Sequence, residues 1–128
     1  MTPRPASLGD AFASLTFLPD RAPGSDKPPG WAARVAEYRD GAVFIVHYAG
    51  SSEWERHPVG DEFVMVVEGE STMTLIVDGE EQQHTLTSQE FIVVPENTWH
   101  RFDTPDGAKI MTITPQPTDH SLEHPGAS

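Results

Sequence analysis

The stretch WERHPVGDEFVMVVEG, from Trp54 to Gly69, decides how the rest of the chain reads, and FIVVPENTWHRF, from Phe91 to Phe102, completes it. The first carries Glu55, His57 and Glu62 and the second carries His100, so two carboxylates and two imidazoles fall in strand-like sequence. That is the composition of a divalent-metal site. In an extended chain, residues two apart look to the same face, which places Glu55 beside His57. Pro58-Val59-Gly60-Asp61 is a turn-forming run that lets the chain reverse and return Glu62 towards His57. The second stretch repeats the logic. Phe91 to Val94 reads as a strand, Pro95-Glu96-Asn97-Thr98 as a tight turn, and His100 opens the next strand.

These two stretches resemble the paired motifs of the cupin superfamily. The first motif of that family places a His-x-His pair before a Glu and a later Gly; here Glu55-x-His57 is followed by Glu62 and then Gly69. The second places Pro-x-Gly before a His; here Pro95-x-Asn97 precedes His100. Glu55 stands where the family has its first metal-binding His. The leading glycines fall on Ala49, with Gly50 beside it, and on Gln89, and Thr104 takes the closing Asn position. Asn97 in place of the turn glycine is a mild change, because Asn tolerates left-handed backbone better than other side chains.

The resemblance implies an all-β fold, a double-stranded β-helix or jelly-roll barrel, with a divalent transition metal (iron, manganese, nickel or zinc) held by Glu55, His57, Glu62 and His100. Neutral imidazoles, two carboxylates and a doubly charged ion would sum to zero, so such a site holds its cation well and attracts anions less. The absence of thiolates gives no reason to favour a soft metal. Four protein ligands would leave open positions for a small bidentate molecule or dioxygen. Cupin sites of this kind are associated with dioxygenases, isomerases and decarboxylases, and also with proteins that only bind. The leading expectation is a metal-dependent enzyme acting on a small polar molecule in the barrel, with Glu55 as fourth ligand or general base. The alternatives are a small-molecule-binding cupin without turnover and a metal-free carbohydrate-binding cupin. Glu55 itself stays open between ligand, an acid behind the ligands, and a solvent-facing residue.

Composition sets the outer bounds. A chain of 128 residues with 37% hydrophobic content is one domain with a real core. A net charge of -12 with only eight Lys and Arg excludes a generic binder of nucleic-acid phosphates. Cysteine is absent, which removes disulfides, thiolate metal sites and cysteine nucleophiles. The first residues lack the apolar run of a signal peptide, and nothing approaches the roughly 18 to 20 apolar residues of a membrane helix. A cytoplasmic protein with no membrane partner is the default expectation.

Residues 1–30 read as an N-terminal arm that packs on the barrel or on a partner subunit. In it Ser7 to Asp10 caps a short helical turn into Ala11-Phe12-Ala13, Ser14 to Leu18 is a short strand, and PDRAPGSDKPPG from Pro19 to Gly30 is an irregular loop. Residues 31–114 form the barrel, with turn signals every eight to twelve residues or so. Its candidate strands are 32–38, 42–48, 62–68, 71–77, 82–87, 90–94, 99–103 and 108–114. The intervening turns are Asp40-Gly41, Gly69-Glu70, Asp78-Gly79 and Pro105-Asp106-Gly107. Val64 and Val66 share a face with Glu62, and Phe63, Met65 and Val67 take the other, so this strand is expected to be buried on both sides. Ser71 to Val77 divides into an apolar and a threonine face and is expected to be half exposed. Residues 115–128 read as a tail whose His120 and His124 are solvated. His47 and His84 carry no motif, and Trp54 and Trp99 point away from the ligands and pack. The apolar outer faces and the proline-rich arm suggest a homodimer.

Overall fold

Asp78-Gly79 is the clearest turn in the chain, and both residues take left-handed backbone, at φ 52 and 79, as a two-residue hairpin loop between twisted strands demands. The computed structural model describes residues 2–126 and carries this hairpin between two of nine strands. In chain order the elements are α1 (Leu8–Ala13), β1 (Leu18–Arg21), β2 (Ala32–Tyr38), β3 (Gly41–Ser51), β4 (Trp54–Arg56), β5 (Glu62–Val77), β6 (Glu80–Thr87), β7 (Glu90–Val94), β8 (His100–Pro115) and β9 (Asp119–Ser121). All nine strands belong to one connected sheet. β8 sits at its centre, antiparallel to β3 on one side and to β5 on the other.

Two pairs of expected strands are each a single long strand. Gly69 does not end β5; it bends it, at φ 94, where an added Cβ would lie 2.6 Å from the carbonyl oxygen of Gly107. Pro105 to Gly107 likewise form a bulge within β8. Tyr48 of β3 pairs with Ala108 while Gly50 pairs with Thr104, so three residues of β8 face one of β3. The bends fall opposite each other, and pairing resumes beyond both. The sheet therefore curls around its inner face.

The N-terminal segment also departs from expectation. α1 is capped as read, the Ser7 hydroxyl accepting from the amide of Asp10 at 3.2 Å. The following strand begins only at Leu18 and runs to Arg21, inside the stretch read as irregular loop, and it pairs in parallel with β3. Gly50 makes that possible. Its φ of 115 is left-handed, and any Cβ would strike the backbone oxygen of Arg21.

Val64 and Val66 are fully buried beside Tyr48, Met73, Leu75, Val94, Phe102 and Ile110. On the other side of β5, Phe63, Met65 and Val67 are half-buried. β5 beyond the bend is more enclosed than its threonine face suggests, because Met73, Thr74, Leu75 and Ile76 are all buried. Trp54 and Trp99 cover Ile76 in a second apolar cluster, which is how both tryptophans pack away from the cavity. No helix among the described residues is long and apolar enough to cross a membrane.

Candidate metal centre

The two turn-containing stretches meet because their turns are tied together. The amide of Asn97 donates to the carbonyl of His57 at 2.8 Å, and the amide of Glu96 donates to Asp61 Oδ1 at 2.8 Å. Asn97 takes the left-handed turn position at φ 59, and Gln89, where the resemblance expects glycine, is left-handed too, at φ 72. Register does the rest. Glu55 of β4 lies directly opposite His100 of β8, a cross-strand pair whose side chains share a face.

His57, Glu62 and His100 are buried, at 3%, 4% and 0% exposure. Glu62 lies between the imidazoles, with Oε1 3.0 Å from His100 Nε2 and Oε2 3.3 Å from His57 Nε2, and the ring centroids of the two histidines are 5.3 Å apart. These contacts are close but poorly aligned. Both Nε2 atoms and Glu62 Oε1 have no properly directed hydrogen bond. The far nitrogens, by contrast, are engaged: His100 Nδ1 is 2.9 Å from the carbonyl of Thr98 and His57 Nδ1 is 3.0 Å from Thr118 Oγ1. A carbonyl only accepts, so Nδ1 of His100 is the donor in that contact, and in the neutral ring Nε2 is the nitrogen that carries the lone pair. Glu62 Oε2 accepts from the Thr114 hydroxyl at 2.6 Å.

Burial disfavours the Glu62 carboxylate, yet His100 and His57 outweigh it and hold its pKa down to about 2. Burial likewise opposes a proton on His100, but contact with Glu62 and the charges of Glu62 and Glu55 win, raising its pKa. Glu55 goes the other way. Burial and the nearby Glu62 charge raise its pKa against the pull of His100, Arg21 and His57. One ligand atom each from Glu55, His57 and His100 lies within 4.8 Å of the others, the spacing of groups that share an ion. Glu55 Oε1 is also 3.7 Å from Arg21 Nη2. Two buried imidazole nitrogens that converge on a carboxylate without a well-directed hydrogen bond, with Glu55 beside them, are a donor set that could hold a divalent cation.

The centre opens on a cavity of about 310 Å³, walled by Phe44, Val46, Phe102 and Ile110 and lined further out by Arg21, Lys27, Trp31, Glu53 and His120. The cavity residues Arg21, Lys27, Trp31 and Glu53 escaped sequence reasoning, as did Thr98, Thr114 and Thr118 beside the candidate ligands. Only Thr98, two positions before His100, carried a local signal; the others are joined to the site by long-range pairing. His120 is exposed, as expected, and it also borders the cavity because β9 pairs with β4 and sets it opposite Glu55. His124 remains half exposed against Glu81.

Known proteins share this architecture. A cupin-2 domain containing protein from Shewanella frigidimarina NCIMB 400 superposes with a TM-score of 0.65 at 24% identity, covering 87% of this chain and 94% of that one. Hydroquinone 1,2-dioxygenase from Sphingomonas sp. TTNP3 gives a TM-score of 0.59 at 16% identity, over 76% of this chain and 70% of that one. At such identities the likeness establishes the fold. In sequence, the uncharacterized protein YdbB of Bacillus subtilis (strain 168) is 29% identical over 68 residues, which are 52% of this chain and 57% of that protein. The cupin domain profile Cupin_2 matches residues 42–115, the span that holds Glu55, His57, Glu62 and His100. The chain belongs to the cupin family.

Proposed function

We propose that His57, His100 and Glu62, with Glu55 as fourth ligand or general base, hold a divalent transition ion, and that the protein is a metal-dependent enzyme acting on a small molecule in the adjoining cavity. The observation that carries this is the pair of buried Nε2 atoms that converge on Glu62, at 3.3 and 3.0 Å but without a well-directed hydrogen bond, while their Nδ1 atoms are engaged. When bound, such an ion polarises a ligating oxygen or, if redox-active, supports dioxygen chemistry. The chain's own part is to position and to move a proton. Glu55, with its raised pKa, is the group suited to take a proton from a bound molecule and return it. Phe44, Val46, Phe102 and Ile110 give the cavity beside it an apolar wall. That hydroquinone 1,2-dioxygenase shares the fold makes oxygen chemistry a natural first assay.

Metal analysis of protein purified without a histidine tag tests this directly. About one equivalent of a single transition ion is expected, against less than about a tenth in His57→Ala and His100→Ala. An equally low content in the wild type would instead favour a metal-free cupin. Oxygen uptake and proton exchange with diketones, phenols and carboxylates then test turnover. A binding protein without turnover is the second reading, favoured by the Arg21 contact that restrains Glu55; silence across the panel by a metal-loaded protein would select it. The exposed Phe91 and Val93 beside Phe63 offer an apolar outer face for a second copy of the chain. A monomer in sedimentation equilibrium at micromolar concentration would remove that proposal.

A further inference from the structure

The cavity carries a second charged group besides Glu55, His57 and Glu62. Arg21 enters it from β1 with its side chain 7% exposed, its guanidinium 4.7 Å from the ring centroid of Tyr48 and 4.9 Å from that of Trp31. Its Nη2 is 3.7 Å from both Glu53 Oε1 and Glu55 Oε1, beyond hydrogen-bond length. Its Nε–H is buried with no acceptor. A buried guanidinium donor is costly to leave unmade, and two aromatic faces hold this one in place. Lys27 lines the same cavity, its Nζ 5.9 Å from the Trp31 ring centroid.

Charge points the same way. Of the groups around the cavity, Glu53, Glu55 and Glu62 oppose Arg21 and Lys27, so a divalent ion would leave one positive charge in excess. That excess sits inside a chain of net charge -12. Such a cavity favours a single negative charge, and its walls favour an apolar body. Glu55 links the two groups, since it approaches Arg21 and also lies among the ligand atoms of His57 and His100.

We propose that Arg21, supported by Lys27, is a carboxylate-binding subsite, and that the ligand of this cavity is a small monocarboxylate whose apolar body lies against Phe44, Val46, Phe102 and Ile110. This deepens the small-molecule reading of the same cavity and rests on it. The guanidinium of Arg21 supplies the fixed positive charge and Lys27, on the same cavity, adds a second.

Benzoate and its neutral isostere benzamide, titrated calorimetrically into tag-free protein of measured metal content, test the proposal. Wild type is expected to bind benzoate about tenfold tighter or more, the scale of one charge-assisted hydrogen bond. Arg21→Gln should erase the difference without lowering metal content, which excludes direct metal ligation as its source. Lys27→Met, on an irregular loop, should weaken benzoate by about two- to fivefold and leave benzamide unchanged. Equal binding of the two probes, binding of neither, or a preference that survives Arg21→Gln overturns the proposal. Should Arg21→Gln fail to show a folded melting transition, a benzoate preference indifferent to both Lys27→Met and added salt overturns it. Benzoate preference in protein with no bound metal would keep Arg21 as the anion site but defeat the metal centre and the charge excess drawn from it; full metal with no preference would keep the metal centre and defeat the subsite.

Discussion

The two ends of the cavity are built in different ways. The inner end takes His57, Glu62 and His100 from two stretches whose turns hydrogen-bond to each other, and all three are buried. The outer end takes Arg21 from a parallel strand near the N-terminus and His120 from a short strand near the C-terminus, both added beside the central strands. The inner end is assembled by local turn chemistry and the outer by distant pairing.

The largest expected effect breaks the inner end alone. His100→Ala removes a nitrogen facing Glu62 and leaves that carboxylate buried with one imidazole fewer. It should cost about 3 to 5 kcal/mol in urea unfolding of the metal-free protein and abolish metal binding. A smaller loss, or retained metal, would mean that His57 alone carries the centre.

Gly50→Ala breaks the outer end instead. Its Cβ would strike the Arg21 backbone, so β1 must shift, at a cost of about 2 to 4 kcal/mol by the same measurement. Metal content should be unchanged. If metal is lost as well, the two ends are not separable.

Tyr48, under Arg21, sharpens the comparison through pH. Burial raises its pKa to about 12, against the opposing charge of Arg21. An unfolded tyrosine ionises near 10 while the folded one keeps its proton. Stability from this group is thus whole below about pH 10 and declines towards pH 12, by up to about 3 kcal/mol. Alkaline unfolding of wild type against Tyr48→Phe measures it, and identical curves would refute the assignment.

Thr118→Val gives the smallest effect. Its hydroxyl meets His57 Nδ1, so its loss should weaken metal affinity by about tenfold with little change in unfolding. Competition with a chelator reads this out, and unchanged affinity would show that His57 needs no support from the C-terminal segment.

Much of the inner end was legible in the sequence. The parity of Glu55 and His57, the prolines of the two turns and the alternation of Val64 and Val66 behind Glu62 all act over a few residues, where strand and turn geometry leave little choice. Gly69 and Pro105 to Gly107 misled because such residues usually end strands. Here each bends a strand that pairing on both sides keeps going. Arg21 was hidden for a related reason. Leu-Pro-Asp-Arg has no strand alternation of its own and becomes β1 only because Gly50 on β3 lets it approach.

The sequence by itself determined an all-β chain with cupin-like motifs and put His57, Glu62 and His100 in the order and spacing of a ligand set, since side-chain parity and turn preference are local properties. Tertiary structure alone decided that Glu55 faces His100 across β4 and β8, that Thr118 backs His57, and that Arg21 and His120 share one cavity with Glu55, His57 and Glu62. Those meetings depend on which strands pair and in what register, and register is set by burying one face of the whole sheet at once.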